Sequence, residues 1–310
     1  FEDNTLEFDF VKILTEKAKN GVNVKILLDS FGSMYLSKES LNLLKEAGVE
    51  ILFFSHFLHR VHRKILIVDQ NTAYLGGVNL HQGAKDWRDM AIMMRGVVVE
   101  RVIRLFAKDY ELAGGTDPRL LSYKKKIFFH KTRTWFVEHL PLKKNFGMKV
   151  AYKKYITEAK KEITIVTPYF APKRWMVALL HQAVLRGLHV KVLVPEHVED
   201  YLLDKANYFY IGRVSNLGVN FFIEPTMNHA KIMLIDREIG LVGSQNLDFL
   251  SFELNSEVGV FFRNPQAVSG IYNIVNSWEK NSKVFDKNIY KLSWYEKILA
   301  HFFNLFVSVL

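Results

Sequence analysis

Short apolar runs separated by amphipathic stretches mark out the elements of this chain. The runs from Ile163 to Val166 and from Val190 to Val194 have the length of buried strands and are far too short to cross a membrane. Stretches with helical spacing of apolar residues precede several such runs, and Gly21 and Gly187 stand between helix and strand. Glycine is typical of a helix stop at such a place. The pattern predicts an α/β protein.

The same pattern occurs twice along the chain. Residues 18–29 (AKNGVNVKILLD) match residues 184–195 (VLRGLHVKVLVP) at an offset of 166. Further matches pair residues 45–54 with 215–224, 62–69 with 229–236, and 76–79 with 243–246. A doubled order of helices and strands predicts two homologous halves, each a mixed, mostly parallel sheet flanked by helices.

The repeat also predicts the domain boundaries. We expect a first half over residues 1–118, a basic linker over 119–150, a second half over 151–285 and an amphipathic helix over 286–310. In the second half, residues 162–170 form a predicted strand before a helix at 173–186. Its counterpart would lie before Phe1, so we expect that the first half lacks its opening strand and that the natural protein extends beyond Phe1.

Charge and composition limit the kinds of site and partner that the protein can have. The 310 residues include 42 Lys and Arg, 32 Asp and Glu, and no Cys, for a net charge of +10. The lack of Cys excludes disulfides, thiolate zinc sites and a Cys nucleophile, and the excess charge indicates an anionic partner. Residues 119–161 hold 13 basic and two acidic residues among aromatic ones. This segment is either a solvated connector with a surface helix or a surface for anionic headgroups.

Each half carries the pattern His-x-Lys-x4-Asp followed by Gly-[Gly/Ser]-x-Asn. The first copy comprises His62, Lys64, Asp69, Gly76, Gly77 and Asn79, and the second comprises His229, Lys231, Asp236, Gly243, Ser244 and Asn246. Residues i and i+2 of a strand share a face, so each His and Lys should point the same way. A single such pair is usually an exposed polar face, but two copies at one offset indicate a site.

These residue types suit chemistry at a phosphate. Two Lys charges and two Asn amides can surround one phosphate, while one imidazole attacks phosphorus and the other protonates the departing oxygen. Each imidazole needs a carboxylate to fix its tautomer, and we choose Asp89 and Glu257, which follow His62 and His229 by 27 and 28 residues. No second His or carboxylate stands at ligand spacing, so we predict neither a metal nor a cofactor.

On these motifs the sequence resembles the phospholipase D superfamily, and within it the bacterial cardiolipin synthases. Further matching pieces are TPYFAP (167–172), WRD (87–89), NHAK (228–231) and LNSE (254–257). The resemblance implies two halves packed with the active site at their interface, catalytic roles for the His, Lys and Asn of both motifs, and structural roles for Asp69 and Asp236.

The resemblance also implies an activity. It implies a phosphatidyltransferase that makes cardiolipin from two phosphatidylglycerol molecules through a phosphatidyl-histidine on His62, releasing glycerol. We therefore expect association with a membrane surface, the bacterial cytoplasmic membrane, with the family's N-terminal membrane segments absent from this chain. The sequence makes no prediction of oligomeric state.

Three alternatives stay open at this point. A hydrolytic phospholipase D would use water as the acceptor, a nuclease or phosphodiesterase would use the same motifs on nucleic acid, and a lipid-binding scaffold would use none of them. The aromatic, apolar tail argues against nucleic acid as a partner. That tail, residues 286–310, is predicted either to lie at a membrane interface or to pack on the protein's own core.

Overall fold

A computed structural model describes residues 3, 9–55, 60–80, 82–125, 133–290, 293–294 and 296. The α-helices are α1 (Phe10–Lys19), α2 (Lys38–Glu46), α3 (Val99–Leu112), α4 (Pro118–Ser122), α5 (Gly147–Glu158), α6 (Arg174–Leu185), α7 (Tyr201–Ser215), α8 (Phe249–Glu253) and α9 (Pro265–Lys280). The strands are β1 (Lys25–Asp29), β2 (Glu50–Phe54), β3 (Lys64–Val68), β4 (Thr72–Gly76), β5 (Ala91–Arg95), β6 (Thr134–Leu140), β7 (Asn145–Phe146), β8 (Glu162–Val166), β9 (His189–Pro195), β10 (Asn220–Glu224), β11 (Ile232–Ile235), β12 (Ile239–Gly243), β13 (Glu257–Phe262) and β14 (Lys283–Val284).

The chain divides into two compact units. Unit 1 comprises Phe1–Tyr74, Val78–Asp86 and Met93–Lys131, and unit 2 comprises Leu75–Gly77, Trp87–Ile92 and Thr132–Leu310. Unit 2 therefore takes in two short pieces of the first predicted half, and one of them carries Asp89.

Unit 2 is built on one nine-stranded sheet with the order β14-β10-β9-β8-β11-β12-β13-β6-β7. The sheet is mixed, as predicted, and its core strands are buried along their whole length in β11, β12 and β13. The balance of directions differs from the prediction, because only β8-β9 and β9-β10 pair in parallel. The other pairings of this sheet are antiparallel. One of them, β11-β12, is joined by a tight hairpin, whereas a parallel pair needs a longer crossover connection.

Unit 1 contains the parallel pair β1-β2 and a three-stranded sheet with the order β3-β4-β5. In unit 2, β8 pairs with both β9 and β11, which are the repeat counterparts of β1 and β3. Among the described residues of unit 1, no strand joins β1 to β3 in this way. The expectation of an opening strand before Phe1 stays a prediction.

Matching positions of the repeat share unusual backbone angles. Gly21 and Gly187 both have φ of +86°, directly after α1 and α6, where only glycine takes this conformation without strain. The two aspartates that end the His-Lys motifs are equivalent in the same way, since Asp69 has φ of 51° and Asp236 has φ of 54°. Their successors are also left-handed, which is the geometry of a type I′ hairpin turn.

Two parts of the basic segment form regular structure in unit 2. Its residues 134–140 form β6, which pairs with β13 along its length, and its α5 packs on the sheet through Met148, Tyr152 and Tyr155. The Trp135 ring stacks on Phe261 with centroids 5.7 Å apart. These buried aromatic contacts explain why a lysine-rich stretch folds into the sheet.

Two predictions concern the C-terminal helix and the lack of membrane-spanning segments. Most of the predicted C-terminal helix over residues 286–310 falls outside the described residues. Within the described ranges, the structure contains no helix with the length and apolar character needed to cross a membrane.

Candidate active site

The second motif brings His229 against a carboxylate from far away in the sequence. Asp89 Oδ2 lies 2.8 Å from His229 Nδ1, and both side chains are largely buried. An ionised carboxylate can only accept, so Nδ1 donates and Nε2 is the basic nitrogen of the ring. The contact fixes the tautomer that acid–base chemistry at Nε2 requires.

The charge state of Asp89 suits this role. Burial by itself would raise the pKa of Asp89, but the hydrogen bond from His229 and the charge of Lys231 outweigh burial and leave the pKa below its usual value. A second hydrogen bond, from the Met90 backbone N–H to Oδ1 at 2.7 Å, also favours the carboxylate. Asp89 is therefore an anion that stabilises a protonated His229.

The two motif lysines adopt the same arrangement. Lys231 Nζ donates to the backbone oxygen of His229 at 2.5 Å, and Lys64 Nζ donates to the backbone oxygen of His62 at 2.8 Å. Each Lys side chain thus folds back towards the His two residues earlier. Lys231 is buried, with 3% of its surface exposed, and a buried ammonium is an effective partner for a phosphate oxygen.

Gly77 leaves room for the Asp89 carboxylate and the backbone of His229. A Cβ at Gly77 would lie 2.5 Å from Asp89 Oδ1 and 3.1 Å from the backbone oxygen of His229. At the neighbouring Gly76, which ends β4, a Cβ would lie 2.1 Å from the backbone oxygen of Met90. The glycines allow the close backbone approach on which the Asp89–His229 pair depends.

The second Gly-Ser-x-Asn box is buried throughout. Gly243 ends β12, and the Ser244 hydroxyl donates to Glu257 Oε2 in a short hydrogen bond. Glu257, chosen as an orienting acid, is fully buried at the start of β13. The Asn246 backbone N–H donates to Ser251 Oγ at 3.2 Å, and Asn246 Oδ1 is buried without a hydrogen-bond partner among the described residues.

Three site residues of the first motif, His62, Lys64 and Asn79, belong to unit 1. His62 lies two residues before Lys64, which is the first residue of β3. Asn79 follows β4 in an irregular segment. All three are half-buried.

The Asp236 carboxylate binds backbone N–H groups and does not contact the His229 imidazole through any of these bonds. Its carboxylate accepts hydrogen bonds from the backbone N–H groups of Lys160, Lys161 and Glu162 at 2.8, 2.7 and 3.0 Å. These contacts attach the hairpin after β11 to the start of β8. Asp69 occupies the equivalent turn and is exposed.

Sequence reasoning missed a group of residues that surrounds the Asp89–His229 pair. The Trp87 ring lies 5.3 Å from the His229 ring, Arg88 forms an ion pair with Glu224, and Asn228 donates to Glu224. The signal that could have revealed them is Glu224, an acid at the end of the apolar strand β10 where a buried residue is expected.

Within the described residues, no cluster of three His, Cys, Asp or Glu side chains has the geometry of a metal site. What the arrangement offers instead is an imidazole with a fixed tautomer, an anion behind it and a buried ammonium beside it. Such a set transfers protons and stabilises negative charge on an oxyanion.

Comparison with known proteins identifies the family to which this chain belongs. A family model described as "Cardiolipin synthase, PLD-like domain" matches residues 4–110 and 152–278. The chain is 29% identical to "Probable cardiolipin synthase YwiE" of Bacillus subtilis over 331 residues, which cover 100% of this chain and 66% of that protein. It is 30% identical to "Cardiolipin synthase" of Halalkalibacterium halodurans over 319 residues, covering 96% of this chain and 63% of that protein. The chain thus spans just under two thirds of the length of these relatives.

A solved structure shares the fold. The phosphatidylserine synthase of Haemophilus influenzae superposes with a TM-score of 0.65 at 13% identity, covering 97% of this chain and 91% of that chain. The resemblance drawn from the motifs is confirmed, and so is the mixed α/β fold class with a sheet flanked by helices. The chain belongs to the cardiolipin synthase, PLD-like domain family of the phospholipase D superfamily.

Proposed function

We propose that this protein is a phosphatidyltransferase that makes cardiolipin from two molecules of phosphatidylglycerol and releases glycerol. The observation that carries the proposal is the Asp89–His229 pair beside the buried Lys231. His229 and Lys231 belong to one copy of a motif that the chain contains twice, and Asp89 follows the other copy. The curated relatives, which are named as cardiolipin synthases, support the choice of substrate.

The first step is transfer of the phosphatidyl group to the protein. His62 attacks the phosphorus of one phosphatidylglycerol, and the bond from phosphorus to the glycerol headgroup oxygen breaks. The protonated His229 gives its proton to that oxygen, so that glycerol leaves as a neutral alcohol. Lys64 and Lys231, with the amides of Asn79 and Asn246, stabilise the charge on the phosphoryl oxygens.

The second step returns the group to an alcohol. Neutral His229 takes the proton of a headgroup hydroxyl of a second phosphatidylglycerol, and that oxygen attacks the phosphorus. The bond from phosphorus to His62 breaks, which yields cardiolipin and restores both imidazoles. Asp89 stabilises His229 whenever the ring is charged.

Substitution of the two imidazoles tests the order of events. We expect His62→Ala and His229→Ala each to abolish turnover of phosphatidylglycerol vesicles. With a substrate carrying an activated leaving group, which needs no acid, His229→Ala should still accumulate a phosphatidyl adduct on His62, whereas His62→Ala should form none. Wild-type turnover in either variant contradicts the mechanism, and an adduct in His62→Ala assigns the nucleophile to another residue.

We also propose that the protein meets an anionic membrane surface through the basic segment. On α5, Lys149 Nζ and Lys153 Nζ lie 5.7 and 5.8 Å from the centre of the Trp175 ring. Val150 is exposed on the same helix, and Leu142 is exposed just before it. Two ammonium groups over an aromatic ring, with apolar side chains nearby, suit the boundary between anionic headgroups and acyl chains.

Vesicle binding tests this surface. Replacing Lys149 and Lys153 with Gln should weaken sedimentation with phosphatidylglycerol vesicles. Replacing Lys280 and Lys283 with Gln removes the same charge outside the segment and serves as the matched control. Equal binding of both double variants contradicts the assignment of the surface.

A further inference from the structure

A partly buried ion pair involves the residue next to Asp89 in the sequence. Arg88 Nη1 is 2.9 Å from Glu224 Oε2, and Glu224 is fully buried at the end of β10. Asn228 Nδ2 donates to both oxygens of Glu224, at 2.9 and 3.1 Å. A buried carboxylate is costly unless it is paired and hydrogen-bonded. Glu224 is therefore satisfied only when Arg88 and Asn228 are both in place.

The backbone of Arg88 is fixed against the same segment. The Arg88 N–H donates to the Met227 oxygen at 2.9 Å, and the His229 N–H donates to the Arg88 oxygen at 2.7 Å. Arg88 and Asn228 form an isolated parallel bridge. One residue, Arg88, is thus held by main chain and side chain to the stretch that leads into His229, and Asp89 is its immediate successor.

We infer that Arg88 and Glu224 are positioning residues that hold the Asp89 carboxylate on His229 Nδ1. The inference deepens the proposed function, because it assigns the residues that set the geometry of its proposed acid and base. A misplacement of about 1 Å can cost about 10²-fold in rate. A charged clamp one residue from Asp89 limits such movement.

The Arg88–Glu224 clamp is not repeated at the matching positions of the two copies. Aligning Asp89 with Glu257 pairs Arg88 with Ser256, and the earlier match of 45–54 with 215–224 pairs Glu224 with Phe54. Neither counterpart is charged. The positions equivalent to Arg88 and Glu224 therefore cannot form the same ion pair in the other copy.

Four variants of the full-length protein test the clamp: Arg88→Met, Glu224→Gln, the double variant and Arg88→Lys. We expect Arg88→Met and Glu224→Gln each to lower kcat by up to about 10²-fold with little change in KM. The double variant should be no worse than the more severe single one, because the two residues act as a unit. Arg88→Lys, which keeps the charge, should restore most of kcat.

The control is Lys191→Met, which breaks a part-buried ion pair with Glu279 between β9 and α9. It should lower the thermal midpoint without lowering kcat. A second readout does not depend on turnover: the proton resonance of the His229 Nδ1 hydrogen, identified by its loss in His229→Gln. In Arg88→Met and Glu224→Gln this resonance should move or broaden, while Arg88→Lys and Lys191→Met should retain it.

The outcomes separate this inference from the proposed function. If kcat and the Nδ1 resonance of folded Arg88→Met and Glu224→Gln match those of Lys191→Met, the clamp is not a positioning device. If either variant fails to fold, Arg88→Lys decides, because loss of its kcat or resonance in a folded protein also overturns the inference. If the wild-type protein makes no cardiolipin, but the Nδ1 resonance changes in Arg88→Met and Glu224→Gln as expected, only the proposed function is refuted.

Discussion

Asp89 Oδ2 lies 2.8 Å from His229 Nδ1, although 140 residues separate the two in the sequence. Asp89 follows the first His-Lys motif, and His229 opens the second. Residues 87–92 are part of unit 2, which also contains His229. The acid that supports an imidazole is thus supplied by the other copy of the repeat.

Removing the charge of Asp89 should impair catalysis. In Asp89→Asn we expect kcat to fall by about 10²–10⁴-fold, the range of general acid–base contributions, because the amide no longer stabilises a protonated His229. Turnover of phosphatidylglycerol vesicles measures the effect. Asp200→Asn, which alters a carboxylate that caps α7, is the control and should retain wild-type turnover. A wild-type kcat in Asp89→Asn would remove Asp89 from the mechanism.

The same pair should make stability depend on pH. Burial opposes ionisation of Asp89, but His229 and Lys231 hold its pKa below the usual value. A group with a lowered folded-state pKa stabilises the fold above its unfolded pKa of about 3.9, and this contribution is lost as pH falls through the folded value. Urea unfolding between about pH 6 and 3 should show the wild type losing its advantage over Asp89→Asn on acidification. An advantage that grows towards low pH would contradict this sign.

A methyl group at Gly77 should disrupt the site. In Gly77→Ala the new Cβ would meet Asp89 Oδ1 at 2.5 Å, so we expect the carboxylate to be displaced and kcat to fall. Gly212→Ala is the matched control, since nothing lies within 4 Å of its Cβ. That change, inside α7, should stabilise the protein by about 0.5–1 kcal/mol and leave kcat unaltered. Equal kcat in both variants would show that the close approach at Gly77 is unimportant.

Asp236 should matter for stability and not for chemistry. Its three backbone hydrogen bonds lead us to expect that Asp236→Ala lowers the free energy of unfolding by about 1–3 kcal/mol, with kcat per folded molecule retained. Glu238→Ala, an exposed change in the same hairpin, should be neutral. A folded Asp236→Ala protein without turnover would assign Asp236 to the catalytic group.

Several strands of the fold could be predicted from local patterns of the sequence. Apolar runs predicted β8 and β9, because a buried strand needs little more than such a run. The spacing of His229 and Lys231 predicted that both side chains point the same way, and this stays a prediction, because the Lys231 ammonium bonds to the backbone oxygen of His229 and not to its ring.

Long-range partners could not be predicted in the same way. Spacing alone gave no reason to pair Asp89 with an imidazole 140 residues away, or Arg88 with Glu224, since only tertiary packing brings β10 beside residues 87–89. The positions of β6 and α5 in the fold could not be predicted from composition for a different reason. Lysines dominate the composition of the basic segment, while burial of Trp135 and Tyr155 against Phe261 decides where it folds.

The most direct test of the proposed activity is mass-spectrometric analysis of the products that the full-length protein makes from phosphatidylglycerol vesicles. The account predicts cardiolipin and free glycerol in equal amounts, both lost in His229→Ala. Phosphatidic acid and glycerol without cardiolipin would show that water is the acceptor and would contradict the proposal of a phosphatidyltransferase.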